Sequence, residues 1–201
     1  MKTENVSAKL VSKDFITIAI FSVIFFAVLF IVMAVCGMVI PLYPFGRVID
    51  GIICGIVYMY LRAKAPKRWA ILLQSAVCTL LFFLLGAMWT MPAGILAGGI
   101  IAEFVSRPKA NRSFLFNTIG YCFFMLGYAI GACAPVVFAR EWYTAYISNS
   151  GMSADYADQI FALIGGPVFF GVLALAIVGA IVGAFLGRVM LKKHFEKAGI
   201  V

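Results

Sequence analysis

The polar residues with the clearest chemical potential lie at the ends of apolar segments. Arg47 and Asp50 are three residues apart in the sequence, so on a helix they lie about one turn from each other and can form an ion pair. Charges at the edge of a membrane span are costly in lipid and are therefore candidates for holding the polar part of a ligand. An interfacial ion pair without any ligand explains the two residues equally well.

Aromatic and hydroxyl side chains are concentrated near the predicted outer ends of the membrane spans, where Arg47 and Asp50 also lie. Such rings form either the interfacial belt of a membrane protein or the walls of a pocket for a planar ligand. In the second interpretation Arg47 and Asp50 hold the polar part of the ligand, and Trp89, Trp142 and Tyr146 cover its apolar faces. The predicted substrate-binding residues are Tyr43, Arg47, Asp50, Trp89, Thr90, Trp142, Tyr143 and Tyr146.

Residues for catalysis are missing from the sequence. No glycine is followed by lysine, so there is no phosphate-binding Walker A loop. The one histidine, His194, lies in a basic tail, so no histidine dyad, triad or zinc cluster can form within the membrane. The five cysteines all fall in apolar runs and are typical of packing residues. We therefore expect no enzyme activity, no metal and no resident cofactor.

The elements that position these residues are predicted from composition. Of the 201 residues 64% are hydrophobic and only 12% are charged, about half the charged share of a soluble domain. The composition therefore predicts an all-α integral membrane protein. We expect a single transmembrane domain of six helices in one bundle. The predicted spans are about 15–40, 47–61, 69–89, 93–105, 114–138 and 167–191, with an outer amphipathic connection at 139–166.

The basic residues predict the orientation of the bundle. If the N-terminus is inside, fourteen of the sixteen lysines and arginines lie on the inner side, and only Arg47 and Arg140 lie outside. This bias places both termini in the cytoplasm. The same distribution explains the net charge of +8, because the basic residues set the topology and contact lipid headgroups. We therefore expect no nucleic-acid binding. The second and fourth spans are short, and the segment 69–105 is alternatively one bent hairpin that does not fully cross.

Two local contacts are predicted near the span ends. The segment 153–164 reads as a short helix that Ser153 caps and that lies across the outer ends of the spans, with Tyr156, Ile160 and Leu163 on its apolar face. Glu103, at the inner end of the fourth span, is within reach of Arg107 on the next turn.

Small residues recur at four-residue spacing in several spans. The last span carries a triple row, Gly179, Gly183 and Gly187. In lipid, such rows let helix backbones approach closely. Packing within one bundle is one interpretation, and docking of a partner membrane protein on this face is the other.

The architecture resembles a known class of transport proteins. Six spans in about 200 residues, basic inner loops and a structured outer connection before the last span are similar to the substrate-binding S component of energy-coupling factor (ECF) transporters, and more narrowly to the Trep_Strep family of bacterial membrane proteins. The likeness covers nearly the whole chain, including Pro41–Gly46, Met91–Gly94 and the glycine-rich last span.

The resemblance implies a function and a set of partners. It implies a component of the bacterial cytoplasmic membrane that binds a vitamin-like micronutrient near the outer face. It also implies a transmembrane T component and two ABC ATPases as partners. Two features depart from the pattern. The first span lacks an alanine row at four-residue spacing and offers only Ala34 and Gly37 for docking, and the start Met1-Lys2 argues against nickel or cobalt as substrate.

Two other functions compete with this interpretation. One is a self-sufficient, ion-coupled carrier, which is disfavoured because the middles of the first, fifth and sixth predicted spans carry no charge. The other is a structural membrane protein without a ligand. The residues do not specify one substrate, although aromatic walls suit a planar organic molecule such as a vitamin or a tetrapyrrole.

Overall fold

The computed structural model of the chain is a bundle of α-helices, and it describes residues 10–107 and 112–197, with side chains as far as Lys192. A single 3-10 turn, Ile40–Leu42, joins the first two helices. The helices of this part of the chain are α1 (Ser12–Met38), α2 (Tyr43–Lys64), α3 (Ala70–Leu84), α4 (Thr90–Ser106), α5 (Phe114–Phe138), α6 (Arg140–Asn149), α7 (Ala154–Ile164) and α8 (Val168–Lys197). Lys2, Lys9, Lys109 and the side chains of Lys193, His194 and Lys197 fall outside this description.

Four of the described helices are long and apolar enough to cross a membrane: α1, α2 with its preceding turn, α5, and α8 as far as Lys192. The apolar helices α3 and α4 are shorter, with 15 and 17 residues. At about 1.5 Å per residue both are shorter than the hydrocarbon core, which is about 30 Å thick. The bundle therefore combines four long helices with a hairpin of two short ones.

Of the two spans that the sequence predicts to be short, the fourth is short in the structure and the second is not. The second span is longer than 47–61, because α2 begins at Tyr43 and contains 22 residues. Pro44 lies in its first turn, where proline removes no helical hydrogen bond. The segment read as a loop after Pro41 is thus the start of a helix.

The third helix is shorter than its predicted span of 69–89. It ends at Leu84 because Gly86 adopts a φ of 75°, a left-handed conformation that commonly ends helices. The fourth helix begins at Thr90, three residues before its predicted start, with Pro92 in its first turn. The fifth helix covers 114–138 as predicted.

The six apolar helices form a closed ring in the order α1, α2, α8, α5, α4, α3, because each packs against its neighbours in this order. The short helices α6 and α7 pack against each other and against α5, and α7 also contacts α2 and α8. They cover one end of the ring, which we call the capped end. The opposite end, where Arg62, Arg107 and Arg188 lie, is called the basic end.

The helix α7 confirms the predicted cap but not the predicted face. The Ser153 side chain accepts a hydrogen bond from the backbone N–H of Tyr156 at 3.3 Å. The buried positions are Ala157, Ile160 and Ile164, so the buried face is rotated by about one residue from the predicted one. Tyr156 is half-buried at the edge of this face, and its hydroxyl reaches α1 at Gly37.

Glycine pairs allow the closest helix contacts of the bundle. A Cβ atom added to Gly183 would collide with the carbonyl oxygen of Gly51, and one added to Gly55 would lie 2.5 Å from the carbonyl carbon of Gly183. The same type of contact joins α4 to α5, where a Cβ on Gly127 would collide with the Gly94 carbonyl oxygen. Close backbone packing of this kind holds helices together in lipid, where the hydrophobic effect does not.

Candidate ligand-binding site at the capped end

A cavity of about 460 Å³ lies under the capping helices. Its walls come from the end of α1, the start of α2, the turn between α3 and α4, one position of α5, and the two capping helices. This volume falls in the range of small-molecule pockets, about 300–1,000 Å³. The ring of helices supplies the walls, and α6 and α7 supply the roof.

Methionines form much of the apolar lining. Five of the nine methionines of the chain line the cavity: Met33, Met38, Met88, Met91 and Met152. Methionine side chains are flexible and polarisable, so they adapt to the shape of an apolar ligand and make favourable contacts with aromatic rings. This lining suits an organic molecule with a substantial apolar or planar body.

Arg47 is the charged residue of the cavity lining. Its side chain is buried, with 4% of the residue surface exposed, although it lies near the start of a membrane-spanning helix. The guanidinium carbon lies 4.6 Å from the ring centroid of Tyr128 and 5.8 Å from that of Tyr43. Two of its nitrogens, Nε and Nη1, have no hydrogen-bond partner in the part of the chain that the structure describes. A buried cation with unused donors is costly unless another group satisfies it.

Asp50 lies behind Arg47 and is completely buried. One carboxylate oxygen, Oδ2, is 3.6 Å from Arg47 Nη1, which is an ion pair but too long for a hydrogen bond. The same oxygen accepts a hydrogen bond from the Tyr128 hydroxyl at 3.2 Å. The predicted pairing of Arg47 with Asp50 is present, but in the interior of the bundle instead of at a solvated interface. Asp50 therefore positions and balances Arg47 without lining the cavity.

Two tyrosine hydroxyls fasten the roof to the ring. Tyr146, on α6, donates to the carbonyl oxygen of Gly86 at 3.0 Å, and Tyr156, on α7, donates to that of Gly37 at 2.8 Å. Both side chains line the cavity. Tyr143 lies between them in the lining, and burial raises its pKa, with a further contribution from Tyr156. The Tyr143 phenol therefore stays neutral and able to donate a hydrogen bond.

The structure brings only part of the predicted site together. Tyr43, Arg47, Tyr143 and Tyr146 line the cavity. Trp89 and Trp142 do not: their side chains are 62% and 39% exposed, and the two rings contact each other edge to face with centroids 6.2 Å apart. They therefore belong to an outer aromatic cluster. The structure does not fit the prediction that both indoles cover the apolar faces of a ligand.

Thr90 is also absent from the cavity lining. Its backbone carbonyl oxygen faces Gly131, so this residue lies at the contact between α4 and α5.

The predicted docking residues are engaged within the chain. The glycine row of the last helix faces the backbone and side chains of α2: Gly179, Gly183 and Gly187. This row therefore packs within the bundle, and the structure does not fit the prediction that it docks a partner. Ala34 and Gly37 line the cavity, and the Gly37 carbonyl accepts the bond from Tyr156.

Glu103 makes a different contact from the predicted one. Its carboxylate accepts hydrogen bonds from the backbone N–H groups of Trp69 at 2.7 Å and Ile71 at 3.1 Å. It thus satisfies the start of α3, where helix N–H groups have no internal partner. Arg107 instead lies over the rings of Trp69 and Phe104, and the ion pairs of the described residues do not include a Glu103–Arg107 pair.

Sequence reasoning missed the methionines, Ile147, Ala132 and Tyr156 as lining residues. The signal for the methionines was present, since Met38, Met88, Met91 and Met152 all lie near predicted outer span ends. They were counted only as apolar residues. The sequence places Tyr156 on the apolar face of a helix over the outer span ends, and the structure places its side chain in the cavity lining. This direction depends on a rotation of α7 that hydrophobic spacing does not resolve.

Long apolar helices, a buried charged pair and a capped apolar cavity define a polytopic α-helical integral membrane protein. Residues 12–197 match the Trep_Strep family, described as hypothetical bacterial integral membrane proteins. The chain belongs to this family. Neither the curated proteins nor the solved structures contain a match to it.

Proposed function

We propose that the chain is the substrate-binding S component of an ECF-type ABC importer in the bacterial cytoplasmic membrane. In this role it binds a vitamin-like or other small organic micronutrient near the outer face. A T component and two ABC ATPases then drive its delivery to the cytoplasm. In this role the protein is not itself an enzyme. Its six apolar helices form one transmembrane domain, and both termini lie in the cytoplasm.

The observation that carries this proposal is the unused donor capacity of Arg47 at the cavity. Arg47 Nε and Nη1 have no hydrogen-bond partner among the described residues, and the surrounding lining is apolar or phenolic. A ligand carboxylate would accept from the guanidinium in the two-pronged geometry that arginine favours. The methionines and tyrosines would then surround the remainder of the molecule. The favoured substrate class is therefore a small organic anion with an apolar or planar body.

The roof supports a capture function as well. Hydrogen bonds from Tyr146 and Tyr156 connect the capping helices to the ring. A roof of this kind admits a ligand from one side and then shields it from water. The cavity is separated from the basic end by buried side chains such as Tyr121 and Phe124, so release on the other side requires a further movement that partners would supply.

Uptake by whole cells tests the transporter assignment. Cells that express the protein together with a T component and two ATPases should accumulate the compound that co-purifies with it. Cells that express the protein alone should not, and a Walker A lysine variant of the ATPases should abolish accumulation. Equal uptake with and without the partners would contradict the assignment.

A second candidate function, an ion-coupled carrier, is favoured by one observation. Asp50 is a completely buried carboxylate on a membrane helix, and its Oδ1 has no hydrogen-bond partner among the described residues. Buried acidic residues of this kind bind coupling protons or cations in carriers. Accumulation of the compound by purified protein in liposomes under a proton gradient, lost in Asp50→Asn, would establish this function in place of the first.

A further inference from the structure

A second cavity, also of about 460 Å³, lies at the basic end of the bundle. Its walls come from the end of α2, the start of α5 and the last turns of α8, and its charged lining residues are Arg62, Arg112 and Arg188. All three charges are therefore positive and converge from three separate segments. This site is about a bundle length away from the capped cavity.

Arg62 is the buried member of this group. Only 2% of its surface is exposed, yet its Nε and Nη2 have no hydrogen-bond partner of ordinary geometry among residues 10–107 and 112–192. Its remaining hydrogen bond, from Nη1 to the Lys67 carbonyl oxygen, is long at 3.4 Å. The adjacent group is the phenol of Tyr58, and an ordinary phenol carries no negative charge near neutral pH. The described side chains give this buried guanidinium no counter-ion, and it has donors that an anion would satisfy.

The described carboxylates at this end are engaged elsewhere. Asp14 forms an ion pair with Lys67 at 2.7 Å. Glu103 accepts the two backbone hydrogen bonds at the start of α3. Neither one is part of the cavity lining. The charge of the three arginines is therefore not balanced by the described part of the chain.

The other two arginines lie at the mouth of the cavity. Both side chains are exposed, and the Arg188 guanidinium carbon lies 4.6 Å from the ring centroid of Phe114. This stacking holds a guanidinium at the rim. Leu115 and Val189, next in sequence to this rim, are exposed apolar residues, so the mouth adjoins the surface that faces lipid.

We propose that the cavity at the basic end binds a phosphate group. Arginine is suited to this because its planar fork binds phosphate oxygens in pairs. Three arginines, one of them buried, match the charge and the acceptor capacity of a phosphate group better than those of a single carboxylate. The phosphate belongs either to an anionic phospholipid, whose acyl chains would lie along the lipid-facing rim, or to a soluble phosphate compound. The site is independent of substrate capture at the capped end.

The test uses the full-length protein, purified in detergent and delipidated, with two probes. Native mass spectrometry measures binding of phosphatidylglycerol and phosphatidylcholine, and thermal melting measures stabilisation by inorganic phosphate. The variant Arg112→Gln/Arg188→Gln changes two exposed residues, so it should fold. Arg140→Gln, an exposed arginine at the capped end, is the matched control.

The wild type and the control should bind phosphatidylglycerol at least about tenfold more tightly than phosphatidylcholine, and the double variant should lose this preference. This result assigns the phosphate to a lipid. Stabilisation by inorganic phosphate that the double variant loses, without a lipid preference, assigns it to a soluble compound. If the double variant matches the wild type with both probes, or if neither probe binds the wild type, the proposal is overturned.

Discussion

The hydroxyl of Tyr156 donates a hydrogen bond to the carbonyl oxygen of Gly37 at 2.8 Å, across 119 positions of sequence. This bond joins α7 to the last turn of α1, beside the cavity. Together with the bond from Tyr146 to Gly86 it fastens the roof on two sides. The ring of helices is held by close backbone contacts, whereas the roof depends on few polar contacts.

Removing these hydroxyls should loosen the roof. A neutral hydrogen bond contributes about 0.5–1.5 kcal/mol, so Tyr146→Phe and Tyr156→Phe should each speed dissociation of the bound compound by roughly 2- to 10-fold. Stopped-flow dilution of the loaded protein measures the rate. Tyr121→Phe is the control, since its hydroxyl bonds to the Gly51 carbonyl oxygen away from the roof. Unchanged dissociation in both roof variants would show that α6 and α7 do not gate the cavity.

Two glycines of α8 provide a matched test of the bundle. A Cβ atom at Gly183 would collide with α2, whereas one at Gly171 would meet nothing within 4 Å. Gly183→Ala should therefore destabilise the protein by about 1–3 kcal/mol, the usual range for overpacking. Gly171→Ala should be neutral or slightly stabilising, because alanine favours helix. Unfolding in mixed detergent micelles measures both, and equal stability of the two variants would contradict the α2–α8 contact.

Glu103 should matter for stability and not for ligand binding. Its carboxylate holds two N–H groups at the start of α3, and hydrogen bonds to charged groups contribute about 1.5–3 kcal/mol. Glu103→Gln should lower thermal stability and increase amide hydrogen exchange in the first turn of α3. The exposed Glu141→Gln serves as control. A loss of ligand affinity in Glu103→Gln would indicate that the ligand binds near the basic end, which contradicts a site at the capped end.

Orientation in the membrane can be tested at two exposed positions. In a Cys122→Ala background the remaining native cysteines are buried, so a new cysteine should dominate labelling. Ser150→Cys, in the turn between α6 and α7, should react with an impermeant maleimide in intact cells. Lys64→Cys, at the end of α2, should react only after lysis. Labelling of Lys64→Cys from outside would reverse the predicted topology.

The helices could be predicted from sequence because lipid demands long uncharged runs, and α5 has the predicted bounds. Helix ends were harder. The sequence around Pro44 and Pro92 predicts a loop and a turn, yet each proline lies in the first turn of a helix. Gly86 ended α3 five residues early because its left-handed conformation depends on where the hairpin turns, which spacing does not fix.

The candidate cavity lies at the end of the bundle where the sequence places the site, but its lining differs from the predicted set of residues. Arg47 and Asp50 could be singled out because charges near membrane spans are rare. The aromatic residues could not be sorted, since an indole in a pocket and an indole in an interfacial belt have the same sequence signature. Trp89 is on the exposed side and Tyr143 on the cavity side, and only the packing of α6 against the hairpin decides between them.

The central claim, that Arg47 binds an organic anion in the capped cavity, is tested most directly by mass spectrometry of small molecules that co-purify with the protein. Arg47→Gln alone leaves Asp50 buried without its partner, which costs stability. The double variant Arg47→Gln/Asp50→Asn restores neutrality and should fold. Arg140→Gln, whose exposed side chain pairs with Asp158 outside the cavity, is the control.

Wild type and Arg140→Gln should each carry the same small organic anion. The folded double variant should retain less than about a tenth of it, because a lost hydrogen bond to a charged group lowers affinity by roughly 10- to 150-fold. A double variant that keeps the full amount of the compound would contradict the account.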